Sequence, residues 1–493
     1  MSEPVYLDYA ATTPVDPAVA EAVARCLSGP EGLGNASSAT HLFGRRAAER
    51  IERSRAEVAA LIGAAAAEIV FTSGATESNN LAVLGAARAN AHRGRHIVSS
   101  RIEHKAVLDP VKRLEREGFA ITLLSPDRRG RIDVQAVAAA LRPDTVLVSI
   151  MLVNNEIGVI QDVAAIGALC RSRGVLFHTD AAQAAGKIPL DVRTLPLDFM
   201  SLTAHKLYGP KGVGALYVRG EARARLQPIV FGGGQERGLR PGTLPTHQIV
   251  GFGAACELAR RALPAEQERL AGLRERLWQG LATLGGAHAN GEGAPCVPGI
   301  LSVSFEGVEG ESLVMGLPEL ALSTGSACNS ASGEPSYVLR ALGRDTQLAQ
   351  SSLRLSYGRF SLPEHIDLAV DAIRREVTRL RTLSPASEPA TTGPGEVVGE
   401  AGGPSQEVWV RFRLTVWNGS VKSALFKAYG CPHTLSVTAW VAERLRGRSR
   451  ADLAPGTPAE WADALAVPVE KLGRLLVVQD ALEDCARHWP EPE

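Results

Sequence analysis

The chain has 493 residues, which is too long for one ordinary hydrophobic core and predicts two or three domains. Lysine plus arginine balance aspartate plus glutamate at 53 each, which excludes a net field that would draw the whole molecule to nucleic acid or to an anionic membrane. We therefore expect a substrate that is a small molecule or is carried by a protein.

The cysteines and the N-terminus predict the compartment. The seven cysteines form no CxxC pair and no dense framework, which favours free thiols in a reducing environment. The N-terminal residues lack a basic segment followed by an apolar one, and the longer apolar runs are broken by glycine or charge before a membrane-spanning length. We expect a cytoplasmic protein that is neither exported nor inserted into a membrane.

From about residue 50, amphipathic helical stretches alternate with short apolar runs that predict strands at 68–71, 96–98, 144–150 and 175–178. This alternation is typical of an α/β domain with a mostly parallel sheet covered on both faces. Ligands of such sheets bind at the carboxyl ends of the strands. Each run is followed there by polar or glycine-rich text: SGATESNN, SSRIEHK, MLVNNEIG and TDAAQ.

The rest of the chain divides into three parts after a large domain at 1–262. Residues 263–383 mix helical text with a strand at 299–305 and predict a small α/β lobe, to which the N-terminal residues also contribute. Residues 384–406 lack aromatic residues and are dense in proline, glycine, serine and glutamate, which predicts a flexible linker. Five of the six tryptophans lie beyond residue 406, so we expect 407–493 to fold separately.

Three of the loops carry residue types that could bind pyridoxal phosphate. Lys206 follows an apolar run, and a Schiff-base lysine needs a protected strand end. Asp180 follows the strand at 175–178 and could keep a pyridinium nitrogen protonated. Residues 73–77 join a strand to a helix, where free N–H groups and a threonine hydroxyl would hold a phosphate. Taken singly, each also fits a surface lysine, a helix cap or a plain connection.

Three further polar residues lie in these loops. His104 could stack on the ring or move protons, whereas Asn155 and Gln183 could bind the ring oxygen and the substrate. A structural histidine and ordinary loop amides are the alternatives.

The order of several segments is more specific than any single residue. In chain order they are YLDYAATTP at 6–14, FTSGATES at 71–78, NNEIG at 154–158, HK at 205–206 and RPGT at 240–243. Over about residues 4–385 the chain resembles the class V aminotransferase branch of the fold-type I pyridoxal-phosphate enzymes. Within that branch it resembles the cysteine desulfurases of iron–sulfur assembly (IscS/NifS type). The resemblance implies conversion of L-cysteine to L-alanine on this fold.

The resemblance also implies residue roles. Lys206 would carry pyridoxal 5′-phosphate and act in catalysis, and His104 would stack on the ring and share in the chemistry. The cofactor's ring and phosphate would be held by Asn155, Asp180, Gln183, Ala75, Thr76, Thr203 and His205. Thr243 would reach the phosphate of a neighbouring subunit, so a homodimer is implied. Arg354 would bind the substrate carboxylate, a task that suits the planar guanidinium, and Asn155 would also contact the substrate.

Cys328 lies in a run of small residues, STGSACNSASGE at 323–334. A thiol in a mobile, wet loop can visit a cofactor and then swing outward. The resemblance implies that Cys328 is the nucleophile that receives sulfur as a persulfide, and that the long loop delivers it to proteins. Thr324 and Asn329 depart from the usual loop residues, and the chemistry needs neither. A free cysteine in a flexible loop is the alternative.

Residues 407–493 resemble a shortened α+β scaffold domain of iron–sulfur assembly (IscU/NifU N-terminal type). The matching text lies at 421–431, 434–446, 468–472 and 479–482. Among the scaffold's ligand positions only Cys431 is retained, because Gln406, Val408 and Arg474 stand at the others. A cluster normally needs four protein ligands, so we expect neither ordinary cluster assembly nor a metal site. Cys431 is instead a candidate sulfur acceptor, with packing in a turn as the alternative.

Three functions stay open at this point. The first is a desulfurase that supplies sulfur for iron–sulfur clusters and other thio-cofactors, with a scaffold protein, its own C-terminal domain or other acceptors as partners. The second is a selenocysteine lyase or another β-eliminating relative. The third is a desulfurase whose fused tail mainly regulates scaffold docking.

Overall fold

The computed structural model describes residues 3–324, 335–383, 395–403 and 406–490. The strands of its N-terminal part are β1 (Val5–Tyr6), β2 (Ile69–Thr72), β3 (His96–Ser100), β4 (Ala120–Leu124), β5 (Thr145–Ser149), β6 (Leu176–Asp180), β7 (Phe199–Thr203) and β8 (Gly214–Val218). The helices are α1 (Pro17–Leu27), α2 (Leu42–Ile62), α3 (Ala75–Ala89), α4 (Lys105–Arg116), α5 (Val134–Ala140), α6 (Val163–Ser172) and α7 (Thr246–Ala282). Among the described residues no helix is both long and apolar enough to cross a bilayer.

Seven of these strands form one sheet in the order β2-β8-β7-β6-β5-β3-β4. Only β8 runs antiparallel to its neighbours, so the predicted mostly parallel sheet is confirmed. Successive side chains of β6 pack into two hydrophobic cores, one on each face of the sheet, because side chains alternate between the faces of a strand. Leu176 packs in a cluster with Leu81 of α3, whereas Phe177 packs in a cluster with Ile166 of α6. The apolar runs in the sequence reflect this burial on both faces.

A second, smaller lobe follows. Its strands are β9 (Ala287–Ala289), β10 (Ile300–Phe305), β11 (Leu320–Ala321), β12 (Ser323–Thr324) and β13 (Ser352–Ser356), and its helices are α8 (Gly310–Met315), α9 (Tyr337–Ala341), α10 (Thr346–Gln350) and α11 (Pro363–Leu383). The order β12-β13-β10-β9 makes an antiparallel sheet, and β1 pairs with β11. Leu7 lies in the core of this lobe.

The helix α7 crosses the predicted boundary between residues 262 and 263. Ile249 and Phe252 in its first part belong to the core of the large domain, whereas Leu273 and Leu277 belong to the core of the small lobe. The two lobes therefore share one continuous helix, and the sequence boundary does not correspond to a break in the backbone.

The C-terminal part has its own core. Its elements are β14 (Glu396–Gly403), β15 (Val408–Trp417), β16 (Ser420–Tyr429), α12 (Pro432–Glu443), α13 (Pro458–Ala464) and α14 (Leu472–Arg487). The three strands form an antiparallel sheet, and α12 and α14 pack against it. Trp461 is fully buried there, and its indole Nε1 donates to the carbonyl of Pro455 over 3.0 Å.

The predicted linker at 384–406 is wrong over residues 396–403, because these residues form β14 and pair along their length with β15. Val397 is buried in the domain core. Gly399 allows helix α14 to approach β14 closely and does not serve as a flexible linker residue, since a β-carbon there would lie 2.2 Å from the backbone nitrogen of Cys485. Glycine-rich composition alone does not distinguish these two uses.

Candidate active site

The predicted site residues follow the carboxyl ends of neighbouring strands. Asp180 ends β6, Thr203 ends β7, and a short helical turn after β7 carries His205 and Lys206. Ala75 and Thr76 begin α3 after β2, His104 caps α4 after β3, and Asn155 lies after β5. Because these strands are adjacent in the sheet, the structure brings the residues to one edge.

Asp180 is buried with both carboxylate oxygens engaged. Its Oδ2 accepts a hydrogen bond from Asn79 Nδ2 over 2.7 Å, and its Oδ1 accepts from the backbone N–H of Ala182 over 2.9 Å. The carboxylate is therefore fixed in orientation. The sequence reasoning missed Asn79, whose only signal is its place one turn into α3, within the polar text SGATESNN.

The turn before α3 has the features of an anion site. Gly74 has φ 151°, and no described side chain caps the N-terminus of the helix. A β-carbon at Gly74 would lie 3.8 Å from Thr203 Oγ1, which places this hydroxyl beside the turn. Burial, together with Lys206 and other nearby lysines, lowers the pKa of His205 to about 4, so its ring is neutral near pH 7. Helix N–H groups, a hydroxyl and a neutral imidazole are suitable phosphate ligands.

His104 has a defined tautomer. Its Nδ1 accepts a hydrogen bond from the backbone N–H of Ala106 over 3.1 Å, so the neutral ring carries its proton on Nε2. Burial lowers the pKa of His104 below its usual value, against the opposing effect of Asp180 and with a smaller contribution from Lys206. His104 is therefore neutral at physiological pH.

Gln183 is held by the protein at both ends of its amide. Its Nε2 donates to the carbonyl of Ala10 over 2.8 Å, and its Oε1 accepts from Lys187 Nζ over 2.5 Å. Burial, with Lys206 and Arg354 nearby, lowers the pKa of Lys187 to about 7. The sequence reasoning missed Lys187, since a lysine seven residues after a strand resembles any surface lysine.

Arg354 lies in β13 and is 3% exposed. Its guanidinium donates to Asp8 Oδ1 over 2.8 Å, to Ser323 Oγ over 3.1 Å and to the carbonyl of Asn155 over 3.0 Å. Among the described residues, Arg354 Nε and Asn155 Oδ1 have no hydrogen-bond partner although both are buried. A buried donor and a buried amide oxygen without partners indicate a polar ligand. Asp8, within the motif YLDYAATTP, is a further contact that was not predicted.

Cys328 lies outside the described residues, but both flanks of its segment are anchored at the site. On the N-terminal side, Ser323 accepts the hydrogen bond from Arg354. On the C-terminal side, Ser336 Oγ donates to Glu156, the neighbour of Asn155. Burial raises the pKa of Glu156 to about 7, against its hydrogen bond with Ser336. Residues 325–334 therefore begin and end beside the predicted substrate site.

Two further predicted site residues lie on other elements. Thr243 is exposed in the loop before α7, and Arg240 of the same loop pairs with Glu77 of α3 over 2.9 Å. Cys431 lies in the C-terminal domain at the N-terminus of α12.

The fold and the site define a class of protein. The sequence model of the family described as Aminotransferase class-V matches residues 5–368. The chain therefore belongs to the class-V aminotransferase family, and the C-terminal domain lies beyond the matched residues.

Curated relatives narrow the comparison. The chain is 55% identical over 388 residues to a protein named cysteine desulfurase IscS from Pectobacterium atrosepticum, an alignment that covers 79% of this chain and 96% of that protein. It is 54% identical over 388 residues, with the same coverage, to cysteine desulfurase IscS of Escherichia coli strain K12.

Solved structures are similar as well. A NifS-like protein has a TM-score of 0.71 at 36% identity and covers 76% of this chain and 100% of its own. SspA in complex with cysteine has a TM-score of 0.65 at 38% identity and covers 72% of this chain and 99% of its own.

Proposed function

We propose that this chain is a cysteine desulfurase that converts L-cysteine to L-alanine and delivers the sulfur for iron–sulfur cluster assembly. The observation that carries the proposal is the buried pair of Arg354 Nε and Asn155 Oδ1. The Nε–H group can donate to the carboxylate of an amino acid, and the amide oxygen can accept from an N–H group of a ligand. Lys187 lies within electrostatic reach of both Arg354 and Lys206. The relatives named cysteine desulfurase support cysteine as that amino acid.

The residues present fit pyridoxal phosphate. Asp180 offers a fixed carboxylate for the pyridinium nitrogen, and the turn before α3 offers anion ligands for the phosphate. When bound, this cofactor supplies an electron sink for the α-carbon of an amino acid. The residues that would hold it are Ala75, Thr76, His104, Asn155, Asp180, Gln183, Thr203, His205 and Lys206, with Thr243 acting across a homodimer.

The residues of the chain then have distinct tasks. Arg354 holds the substrate carboxylate, Asn155 contacts the substrate, and Lys206 Nζ takes the proton from the substrate α-carbon. The Cys328 thiolate attacks the substrate sulfur, so that the carbon–sulfur bond breaks and a sulfur–sulfur bond forms. The carbon fragment keeps the electron pair, takes up protons and leaves as alanine. Cysteine and one thiol thus give alanine and one persulfide, with no external oxidant.

Chain length allows Cys328 to reach the substrate and to swing outward. Cys328 is four residues beyond Thr324, the last residue of β12, so its Cα can lie up to about 14 Å from that strand end. Ser323, in the same strand, contacts the guanidinium that would bind the carboxylate.

A homodimer is supported by exposed apolar residues. Leu33, Phe43, Val230 and Phe231 are all more than one-third exposed, and Phe231 is 83% exposed. Residues 36–37 and 235–237 line one pocket, which brings the two segments near each other. Burial of such a patch against a second copy is favourable, and Thr243 lies close to it in sequence.

A reducing compartment, such as the cytoplasm, is supported by the thiols. The six cysteines within the described residues are free.

The C-terminal domain is proposed to be a degenerate iron–sulfur scaffold domain whose Cys431 accepts sulfur. The Cys431 thiolate would attack the outer sulfur of the Cys328 persulfide, so that the old sulfur–sulfur bond breaks and the Cys328 thiolate leaves. Transfer of one sulfur needs one acceptor thiol, so the loss of the other ligand positions does not prevent it.

The test is turnover of isotopically labelled cysteine followed by peptide mapping. We expect label on Cys328, alanine release that Cys328→Ser abolishes, and unchanged binding of cysteine in that variant. Cys296→Ser is the matched control, because Cys296 is the one described cysteine that is not buried. Label on Cys431 that disappears in Cys328→Ser supports the acceptor role, and label confined to Cys328 contradicts it. Wild-type alanine release by Cys328→Ser would reject the desulfurase mechanism.

A further inference from the structure

The C-terminal domain contacts the small lobe of its own chain through one buried and one half-buried hydrogen bond. Ser312 Oγ, in α8, donates to the carbonyl of Gly430 over 2.8 Å, and both residues are buried. Gln347 Nε2, in α10, donates to the hydroxyl of Tyr429 over 3.0 Å. Leu435 of α12 packs against the cores of both units. The contact therefore has an apolar centre with satisfied polar groups.

Charged and polar pairs surround this centre. Lys471 Nζ bonds to Glu311 Oε2 over 2.8 Å at the solvent-accessible edge. Gln350 Nε2 donates to Glu407 Oε1 over 2.9 Å, and Glu407 Oε2 pairs with Arg474 over 3.2 Å. An apolar centre with a polar rim is the usual anatomy of a specific interface.

Cys431 lies at the centre of this contact. It is 0% exposed, and its Sγ lies 3.4 Å from Thr434 Oγ1. Gly430, directly before it, and Leu435, one helical turn after it, both touch the small lobe. The small lobe thus contacts residues on both sides of the one thiol proposed to accept sulfur.

The helix α8 also packs on the active-site strands. It contacts β12 and β13 as well as α12. Arg354 lies in β13, and β12 ends at Thr324, immediately before the segment of Cys328. One short helix therefore contacts both α12, which begins directly after Cys431, and the strands that carry the candidate site.

We propose that this contact is a closed state in which the small lobe shields Cys431, and that Cys431 accepts sulfur only after the C-terminal domain leaves α8. The proposal rests on the acceptor role proposed above. Residues 384–394 connect the two units, and eleven residues can span up to about 40 Å, which leaves room for the domain to move while tethered. Tethering keeps the local concentration at about the millimolar level, so the closed state re-forms readily.

The test measures how fast N-ethylmaleimide modifies Cys431 in the full-length holoenzyme, by peptide mass spectrometry. Ser312→Ala combined with Gln347→Ala removes the buried hydrogen bond to Gly430 and the half-buried one to Tyr429. We expect Cys431 to be modified about tenfold faster than in the wild type, which corresponds to a loss of about 1.4 kcal/mol in the free energy that favours the closed state. The matched control is Ser423→Ala combined with Gln479→Ala. These changes affect the same residue types, but Ser423 bonds to Thr415 and Gln479 bonds to Glu483, both within the C-terminal domain.

Cys485 reports unfolding of the domain in the same samples, because it is fully buried in the domain's own core. Its modification should stay at the wild-type rate. Faster modification of Cys485 in parallel with Cys431 would overturn the proposal, since the domain's own fold would then shield both thiols. Unchanged modification of Cys431 in the double variant, or rapid modification in the wild type, would overturn it as well.

A charge reversal tests the same contact at the rim without disturbing either core. Lys471→Glu should speed modification of Cys431, and Glu311→Lys in the same chain should reverse the effect. Failure of this reversal would contradict the closed state. Alanine release by the same preparations tests the desulfurase assignment separately, because none of these residues lies at the candidate active site.

Discussion

Arg354 is the residue whose replacement tests the substrate site most directly. Its guanidinium is buried and already fixed by Asp8, Ser323 and the carbonyl of Asn155, so it is preorganised for a carboxylate. Arg354→Lys keeps the charge but loses the planar fork. A hydrogen bond to a charged group contributes about 1.5–3 kcal/mol, so we expect Kd for L-cysteine to rise roughly 10- to 150-fold.

The assay compares cysteine with cysteamine, which lacks the carboxylate. Binding of each is followed by the change in cofactor absorbance. The preference of the wild type for cysteine should largely disappear in Arg354→Lys, while Kd for cysteamine changes little. Arg344→Lys is the matched control, because Arg344 bonds to the neutral groups of Asn290 and Ala289. Equal losses for both ligands in Arg354→Lys would show a purely structural role and refute the reasoning.

Three further outcomes are expected. Gly399→Ala should lower the thermal stability of the C-terminal domain whereas Gly403→Ala should not, because a β-carbon at Gly399 meets Cys485 and one at Gly403 meets nothing within 4 Å; equal melting curves would contradict β14. Asp180→Ala should lose cofactor more readily on dialysis than the wild type, measured by absorbance, since the fixed carboxylate for the pyridinium nitrogen is gone; full retention would count against that role. Burial lowers the pKa of His178 in the folded protein to about 4, from 6.5 in the unfolded chain. Between these two pH values only the unfolded chain binds a proton at this histidine, so the free energy of unfolding falls as the pH falls from 6.5 to 4. In denaturant titrations, His178→Gln should reduce the loss in free energy of unfolding between pH 6.5 and 4 by roughly 3 kcal/mol. The same pH dependence of that free energy in the variant and the wild type would contradict this prediction.

The centre of the sheet was predictable because its parallel strands β3, β5, β6 and β7 are buried on both faces, unlike the edge strand β4. Leu176 and Phe177 must both be apolar when one enters each core, so β6 appears in the sequence as an apolar run. The loops after these runs contained the candidate residues for the same reason, since strand ends of a parallel sheet meet at one edge. These apolar runs and the polar loops after them are short, continuous segments, so they can be recognised in a single sequence.

The contacts that were missed join residues far apart in the chain. Asn79 reaches Asp180 across 101 residues, and Asp8 reaches Arg354 across 346. Strand order and packing determine which of these distant residues meet, and neither produces a recognisable spacing in the sequence. The error over residues 396–403 has another cause, because a glycine that admits a neighbouring helix and a glycine that loosens a linker look alike in composition.

The pairing of the first strand with the small lobe has a consequence for biosynthesis. β1 finds its partner β11 only after residue 320 is made, and Asp8 meets Arg354 later still. At about 5–20 residues per second the ribosome needs roughly 20–70 s to synthesise the intervening residues. During that interval the nascent N-terminus has no native partner in the small lobe. The substrate pocket is thus completed only after Arg354 is made, and the residues of the C-terminal domain are synthesised after that.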